Sequence, residues 1–272
     1  MGSRYRNFPN RERVRSMLIA ALLTSIALLP NLLTAEQVPV LHREGLMHGF
    51  LALRTLQGKK LADGEMTQVA EGNRITSKLI FRFHDGSIYE DKTVFIQEGT
   101  FRLVSDHLVQ KGPSFKQTME TSIDAAKGEV TVRYKDDRGE EKVLSQKLEL
   151  PPDVANGLMF TLVKDIKPAT PQTTVSMLAT TPKPWIVKLV ISPEGEKSIS
   201  SGNTRHKAIV YDVKVQIGGI AGLLARVTGK QPPDTHVWVL EGEAPAFVKS
   251  EGPLYQGGPI WRIELANPSG FP

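Results

Sequence analysis

The sequence predicts an all-β fold, a large curved antiparallel sheet or half-open barrel with one packed α-helix over about residues 153–166. Three observations support this prediction. Apolar and polar residues alternate along most of the chain, turn-forming residues interrupt the alternation at hairpin intervals, and a single segment has helical periodicity. A signal-peptide helix is expected before the sheet.

The alternation is clearest in residues 209–217, where every odd position is apolar and Asp212, Lys214 and Gln216 lie between them. Successive side chains of a strand point to opposite faces, so this pattern is typical of a strand with one buried face. Residues 185–191 and 261–265 repeat the pattern, and each of these runs begins with a tryptophan.

Turn signals separate the alternating runs. Glycine at such positions supplies the positive φ that tight hairpin turns require, and the glycine pairs in question are Gln57-Gly58, Asp63-Gly64, Glu71-Gly72, Asp85-Gly86, Glu98-Gly99, Lys127-Gly128 and Arg138-Gly139. Strands roughly 8 to 14 residues apart indicate an antiparallel meander, sandwich or barrel. Strands are predicted at about 48–57, 60–70, 74–83, 87–97, 100–110, 117–123, 129–135, 141–148, 173–180, 185–192, 206–217, 235–241, 245–250 and 259–266.

The helix prediction rests on one apolar stripe. Every fourth residue of the segment is apolar, as expected for one face of a helix: Val154, Leu158, Leu162 and Ile166. Asp153 is the predicted N-cap, and Pro168 ends the helix. We expect this helix to pack on the sheet or to fill an open end of a barrel.

The first 35 residues have the pattern of a secretory signal peptide. Five arginines precede residue 16, an apolar run covers residues 17–29, and Ala35 offers a small residue at a cleavage point. The apolar run is shorter than the roughly 20 residues that cross a bilayer, which leaves an uncleaved anchor as the alternative. We therefore expect export to the periplasm or the extracellular space, with cleavage near Ala35.

The predicted domains are the signal peptide, residues 1–35, and a single exported β domain, residues 36–272. The proline-rich segment 168–184 is interpreted as a rigid connection inside that domain.

Charge and cysteine content exclude several classes of protein. Residues 1–35 hold five arginines and one glutamate, so of the chain's 34 basic and 29 acidic residues the mature part keeps 29 and 28, a net charge of +1. A nucleic-acid-binding protein needs a basic face, and we expect no nucleic-acid partner. The chain has no cysteine, which excludes disulfides, thiolate metal sites and a cysteine nucleophile.

Motifs for metal binding and catalysis are missing. The six histidines lack the spacing of a metal motif, so neither a metal site nor a cofactor is predicted. No serine-hydrolase motif is present either. A hydrolase using Asp106, His107 and His236 is retained as an alternative, although a strand would direct Asp106 and His107 to opposite faces.

The candidate ligand-binding residues are an apolar loop and three aromatic residues. The stretch 218–225 is glycine-rich, apolar and uncharged, and we interpret Ile220, Leu223 and Leu224 as an apolar surface at a cavity mouth. A glycine-bent strand or bulge is the alternative for this stretch. Trp238, Tyr255 and Trp261, close to glycine and proline, are predicted to line an aromatic pocket, with core packing as the alternative.

Four segments carry a resemblance to known proteins: 112–115 (Gly-Pro-Ser-Phe), the hairpin 123–130, the segment 150–158 and the closing run 261–265. On these the chain resembles uncharacterised exported bacterial all-β proteins of a domain-of-unknown-function type. It is similar only in general form to periplasmic lipoprotein-carrier or lipocalin-like half-barrels. The resemblance covers most of residues 45–266, and it implies a curved antiparallel sheet behind a signal peptide but no catalytic residues.

The expected function is non-catalytic binding in the cell envelope, with an apolar or amphiphilic ligand on the concave face of the sheet. A lipid or another apolar molecule is the expected ligand, and an envelope protein is a further expected partner. The alternatives are a periplasmic hydrolase using Asp and His residues, or a structural or interaction protein acting through its sheet edges.

Overall fold

The computed structural model describes residue 2 and residues 37–266, apart from positions 137, 181–182, 202–203 and 219–230. Within them, fourteen strands form one antiparallel sheet accompanied by one short helix, which confirms the predicted fold class. The strands are β1 (Met47–Thr55), β2 (Lys60–Glu71), β3 (Arg74–Phe83), β4 (Ile88–Glu98), β5 (Thr100–Lys111), β6 (Met119–Asp124), β7 (Glu129–Lys135), β8 (Glu141–Lys147), β9 (Thr173–Ala179), β10 (Trp185–Ser201), β11 (Thr204–Gln216), β12 (Thr235–Leu240), β13 (Ala246–Pro253) and β14 (Ile260–Leu265).

The order of the strands in the sheet is β8-β7-β6-β5-β4-β3-β2-β1-β14-β13-β12-β11-β10-β9. The chain therefore enters in the middle of the sheet, at β1, and meanders to one edge at β8. It then crosses to the opposite edge at β9 and meanders back until β14 pairs with β1. Among the described residues β8 and β9 form no ladder, so the sheet is curled but not closed.

The crossover segment, residues 148–172, occupies the interior between the two edges. Its apolar side chains belong to the same buried cluster as Val130 and Val132 of β7 and Val175 and Leu178 of β9. Strands that lie far apart in the sheet order thus share one core, which requires the sheet to curve around the segment. The second interior cluster contains Trp261 and residues of β1 to β4 and β14.

The helix is much shorter than predicted: α1 spans only Met159–Leu162 rather than 153–166. The predicted stripe is nevertheless buried at all four positions, Val154, Leu158, Leu162 and Ile166. Asp153 caps no helix, because its carboxylate accepts a hydrogen bond from Ser176 Oγ of β9 at 2.9 Å. Residues 153–156 run beside the edge of β9 instead, and the backbone N–H of Ala155 donates to the carbonyl of Ser176 at 2.9 Å.

Contacts from both sides hold the crossover segment in place. The Tyr211 hydroxyl donates to the Ile166 carbonyl at 2.5 Å, and burial, with the Glu241 charge as a smaller cause, raises the pKa of Tyr211 to about 12. From the N-terminal side, the backbone N–H groups of Leu41 and His42 donate to Asp165 Oδ1 at 2.6 and 2.7 Å. The arm before β1 is therefore anchored on the segment that fills the interior.

Most of the predicted turns are confirmed by positive φ at their glycines, at positions 58, 72, 86, 99, 128 and 139. The turn at Asp63-Gly64 was predicted wrongly, because Gly64 lies inside β2, paired with Leu51 and Phe81. The Phe81 ring lies over Gly64 and occupies the space that a Cβ would need. The glycine therefore marks close packing across the sheet rather than a reversal of the chain.

Strand β10 extends nine residues beyond its predicted end at 192. The ladder with β11 continues past Pro193 because a β-bulge, with Glu194 as its extra residue, absorbs the irregularity between Pro193 and Gly195. Beyond the bulge the hairpin is exposed at Glu196 and Lys197. This part of the hairpin buries neither face, and for that reason apolar and polar residues do not alternate in its sequence.

The predicted signal peptide, residues 1–35, lies outside the described residues except for Gly2. The described strands belong to one compact unit, whose limits are 35 and 272. In the described part of the chain, no helix has both the length and the apolar character needed to cross a lipid bilayer.

Truncation of the crossover stripe should destabilise the whole sheet. The Leu158 side chain is 1% exposed, and Leu158→Ala is expected to cost about 2–5 kcal/mol, because it leaves a cavity where both halves of the sheet meet. Leu46→Ala is the matched control, since Leu46 is 86% exposed. Urea denaturation followed by circular dichroism measures both; equal midpoints for the two variants would contradict the role of the segment.

Candidate functional site

The interior of the curled sheet contains a cavity of about 350 Å³. Both halves of the sheet and the crossover segment contribute to its wall, and most of the lining side chains are apolar. The apolar lining residues include Leu53, Met66, Leu79, Leu108, Met119, Met159, Phe160, Met177, Leu178, Trp185, Val187, Leu189, Val213, Val215, Ile217, Leu254 and Ile263. A volume of this size lies at the lower end of the range for small-molecule pockets, roughly 300–1,000 Å³.

Four methionine side chains line the cavity: Met66, Met119, Met159 and Met177. Methionine side chains are unbranched and polarizable, so they adapt to ligands of different shape. Next to Met159, Phe160 stacks against Phe247 of β13 with ring centroids 4.2 Å apart. The helix α1 is thereby fixed to the opposite half of the sheet while its methionine faces the cavity.

An aromatic cluster forms one end of the cavity. Tyr255 lies 5.9 Å from Trp261 and 5.2 Å from Phe115, measured between ring centroids, and Phe83 lies 5.6 Å from Trp261. The Tyr255 hydroxyl donates to the Ser114 carbonyl at 3.1 Å, and burial raises the pKa of Tyr255. Tyr255 and Trp261 therefore present ring surfaces to the cavity while the tyrosine hydroxyl is already satisfied.

A row of polar residues crosses the cavity wall that β2 to β5 form. Gln68, Ser77, Thr93 and Asp106 are direct cross-strand neighbours on β2, β3, β4 and β5, and all four are buried. Ser77, Thr93 and Asp106 line the cavity. The Thr93 hydroxyl donates to Asp106 Oδ1 at 2.9 Å and lies 3.4 Å from Asp91 Oδ1. A polar belt thus interrupts an otherwise apolar interior.

Asp91 and Asp106 form a carboxyl pair on this wall. Burial, and then the adjacent Asp106 charge, raise the pKa of Asp91 well above its ordinary value of 3.8. Burial also raises the pKa of Asp106, opposed by its hydrogen bonds with Asp91 and Thr93 and by the His107 charge. Two carboxyl groups in such contact favour sharing a proton, so the pair can both donate and accept hydrogen bonds toward the cavity.

Gln110 adds an acceptor beside this pair. It lines the cavity, and its Nε2 donates to the Gln117 carbonyl at 3.3 Å. Its buried Oε1 accepts no hydrogen bond from any residue in the described ranges. Buried polar atoms are normally satisfied, so this oxygen is a suitable acceptor for a donor group on a ligand.

The structure places the predicted site residues in three different environments. Tyr255 and Trp261 lie together in the cavity wall. Trp238 is buried on the outer face of β12, against Ala208 and Val210 of β11, and does not share the cavity. Ile220, Leu223 and Leu224 fall outside the described residues; the described neighbours of that loop, Ile217 and Pro232, line the cavity.

The residues of the hydrolase alternative do not converge. Asp106 faces the cavity, whereas His107 faces outward and contacts Glu120 at 2.9 Å. His236 lies on the outer face of β12, 3.5 Å from Glu194. An arrangement of Asp106 with either histidine is therefore not formed, for the reason that strand alternation predicted.

Sequence reasoning did not select Asp91, Thr93 or Gln110. A signal for the first two was present, because Tyr89, Asp91, Thr93 and Phe95 share one phase of β4 and the aromatic residues of that phase are buried. A carboxyl group in the inward phase of a strand is unusual, since buried carboxylates are costly unless paired. An inward-facing carboxyl group of this kind indicates either a buried pair of polar residues or a ligand-binding site.

Gly157 fits the crossover segment against the polar wall. Its φ is +67°, and an added Cβ would overlap Thr93 Oγ1 and lie 2.8 Å from Asp106 Oδ1. Gly157→Ala should therefore destabilise the protein more than Gly72→Ala, a matched control with φ +62° and open space around it. The control should cost only the left-handed conformation, about 1–2 kcal/mol. Chemical denaturation compares the free energies of unfolding of the two variants. Equal losses of stability would mean that Thr93 and Asp106 move aside without cost.

The carboxyl pair should make stability fall as the pH rises. Because the pKa of Asp91 is higher in the folded than in the unfolded state, the folded state binds more protons between 3.8 and the raised value, and stability declines across that window. Asp91→Asn should remove this decline and raise the melting temperature at pH 7. The gain over wild type should vanish near pH 4.

Asp85→Asn is a control that should change the melting temperature at pH 7 in the opposite direction. Hydrogen bonds from the Ser114 hydroxyl and the Ser87 backbone lower the pKa of Asp85. Its contribution to stability is therefore present at neutral pH and is lost on acidification, so this variant should melt earlier than wild type at pH 7. Melting curves from pH 4 to 8 test both variants; a lower melting temperature of Asp91→Asn at pH 7 would contradict the assignment.

In comparisons with known proteins, no family model and no curated protein matches the chain. Among solved structures, the chain is similar to a beta-barrel-like protein of domain of unknown function DUF1849 from Brucella abortus, with 9% sequence identity and a TM-score of 0.46. The similarity covers 83% of this chain and 97% of that one.

Proposed function

We propose that the protein binds an amphiphilic ligand in its interior cavity, without catalysis, as an exported component of the cell envelope. One observation carries the proposal: an interior cavity of about 350 Å³ with an apolar, methionine-rich wall and a single polar belt. At roughly 30 Å³ per water molecule, this space equals about a dozen waters. An apolar body in that space would release water from the lining, which is the main driving force for binding.

The polar belt indicates the charge and the hydrogen-bonding character of the ligand's polar end group. Asp91 and Asp106 offer carboxyl oxygens, and Gln110 offers an unsatisfied carbonyl oxygen. An anionic end group would meet like charge at this wall, and buried like charges repel strongly. The proposed ligand therefore has an apolar body and a neutral or cationic end that donates hydrogen bonds.

The location of the protein is proposed on separate grounds. The basic, apolar and small-residue pattern of residues 1–35 supports export to the periplasm or the extracellular space. In such a compartment a lipid or a lipid fragment is the natural source of an amphiphile. Ile220, Leu223 and Leu224 remain predicted contributors to the cavity mouth, since the residues that flank their loop line the cavity.

Filling the cavity should weaken ligand binding. Leu108 lines the cavity, whereas its neighbour Val109 lies on the outer face of β5, opposite Glu90. Leu108→Trp should weaken binding of the neutral dye N-phenyl-1-naphthylamine by about tenfold or more, equivalent to about 1.4 kcal/mol, while Val109→Trp should bind as wild type. Dye fluorescence measures the affinities, and dodecylamine should displace the dye at lower concentration than dodecanoate.

Two outcomes would count against this function. Dye binding that Leu108→Trp leaves unchanged would mean that the ligand binds outside the cavity.

A second candidate function is hydrolysis by the Asp91–Asp106 pair. It is favoured by the raised pKa values of these carboxyl groups, since the pKa values of catalytic acids are often shifted in this way. Turnover of a dodecyl ester by the wild type, lost in Asp91→Asn while dye binding persists, would support that candidate instead.

A further inference from the structure

The outer face of the sheet carries a group of three potential metal ligands on three neighbouring strands. Glu194 belongs to β10, Asp212 to β11 and His236 to β12, and their donor atoms all lie within 4.8 Å of one another. Asp212 and His236 are direct cross-strand partners. The inward-facing residues of the same strands, Tyr211 and Val237, belong to the core, so this group lies on the side of the sheet opposite the cavity.

The bulge in β10 brings Glu194 into the group. Pro193 pairs with Tyr211 and Gly195 pairs with Val210, so Glu194 is the extra residue with no partner in the ladder. Bulges often redirect a side chain next to a functional site. Here the Glu194 carboxylate lies 3.5 Å from His236 Nε2, across the intervening strand β11.

Asp212 supplies the observation that points to a ligand. The residue is only 4% exposed, and its Oδ2 pairs with Lys214 Nζ at 2.5 Å. The other carboxylate oxygen, Oδ1, is buried and accepts no hydrogen bond from the described part of the chain. This oxygen faces the group, 3.8 Å from His236 Nε2. A buried carboxylate oxygen without a donor is rare and costly, and a cation would satisfy it.

The spacing and chemistry of the donors suit zinc. Tetrahedral ligands at roughly 2.0–2.2 Å from a zinc ion lie roughly 3.3–3.6 Å from one another. His236 Nε2 is 3.5 Å from Glu194 Oε1 and 3.8 Å from Asp212 Oδ1, and all three donor groups lie within 4.8 Å of one another, so side-chain movements complete the geometry. One imidazole and two carboxylates form a borderline donor set, and three protein ligands leave a fourth position for water.

We propose that Glu194, Asp212 and His236 form a zinc site that joins β10, β11 and β12 on the outer face. Lys214, which contacts both Asp212 and Asp234, balances part of the negative charge. The ion would hold the bulge of β10 to the two following strands at the base of the exposed β10–β11 hairpin.

Two other histidine–carboxylate contacts serve as comparisons for the group around His236. His48 pairs with Glu65, and His107 pairs with Glu120. Among the described residues, the group around His236 is the one in which three such donors converge. A paired histidine with one carboxylate is a surface ion pair, and we expect no comparable affinity for zinc there.

Isothermal titration of the metal-depleted full chain with zinc chloride tests the proposal. The wild type should bind one zinc ion with an affinity that His236→Ala and Glu194→Gln each weaken by at least about tenfold. His107→Ala is the matched control and should bind as wild type. Zinc should also raise the melting temperature of the wild type, because it binds the folded chain, but not that of His236→Ala.

Glu194→Gln decides the matter if His236→Ala fails to fold, since Glu194 is exposed and outside the ladder. The proposal is overturned by a wild type that binds no zinc. It is equally overturned by zinc binding that survives Glu194→Gln, or by a loss of affinity in His107→Ala as large as in Glu194→Gln.

Discussion

The interior position of the crossover segment is the constraint on which the rest of the structure depends. The sheet has two free edges, β8 and β9, and no ladder joins them in the described chain. An open sheet of this size would expose its apolar concave face, and a free edge is a site for aggregation. The crossover segment addresses both problems, because its stripe of apolar side chains fills the concave face and its residues 153–156 lie along β9.

The same segment explains why a cavity remains. Its buried apolar residues pack in one interior cluster with Phe95, Val130 and Ile209. The aromatic residues around Trp261 form a second interior cluster. Between the two clusters the wall carries Asp106 and Thr93, and Gly157 approaches them closely because it has no side chain. Apolar filler at this position would leave these polar groups buried without solvent, which is costly.

The Asp91–Asp106 pair therefore indicates a position that has been kept for function rather than for stability. Carboxyl groups whose pKa values are raised by burial destabilise the folded chain at neutral pH. Positions that reduce stability in a core are expected where function requires them, since stability and function compete for the same residues. The raised pKa values of Asp91 and Asp106 therefore support, together with the cavity, a polar contact for a ligand at this wall.

The sheet could be predicted from the sequence far better than the site. All fourteen strands were predicted, because a strand with one buried face records its period of two in the residue pattern. Helix α1 was predicted too long, because helical spacing of Val154, Leu158 and Leu162 also results from a chain that packs its apolar residues in irregular turns. Trp238 was assigned to a pocket from its residue type and its nearness to glycine and proline, and its face became evident only from the cross-strand register.

Two of the β-bulges, one in β5 and one in β10, show why the candidate sites could not be predicted from the sequence. Phe101 and Leu103 face inward on β5, and strict alternation from them would direct His107 inward and Asp106 outward. Val104 is an extra residue in the ladder with β4, and it reverses the phase so that Asp106 faces the cavity. Glu194 is the corresponding extra residue in β10.

The bulge at Val104 has no residue signature comparable to a turn glycine, so the phase of β5 beyond it cannot be obtained from alternation. In this protein one bulge sets the inward carboxyl group of the cavity and another sets the outward carboxylate beside His236. Both candidate sites therefore depend on local departures from the strand period, while the regular strands between them supply the rigid frame that holds each site.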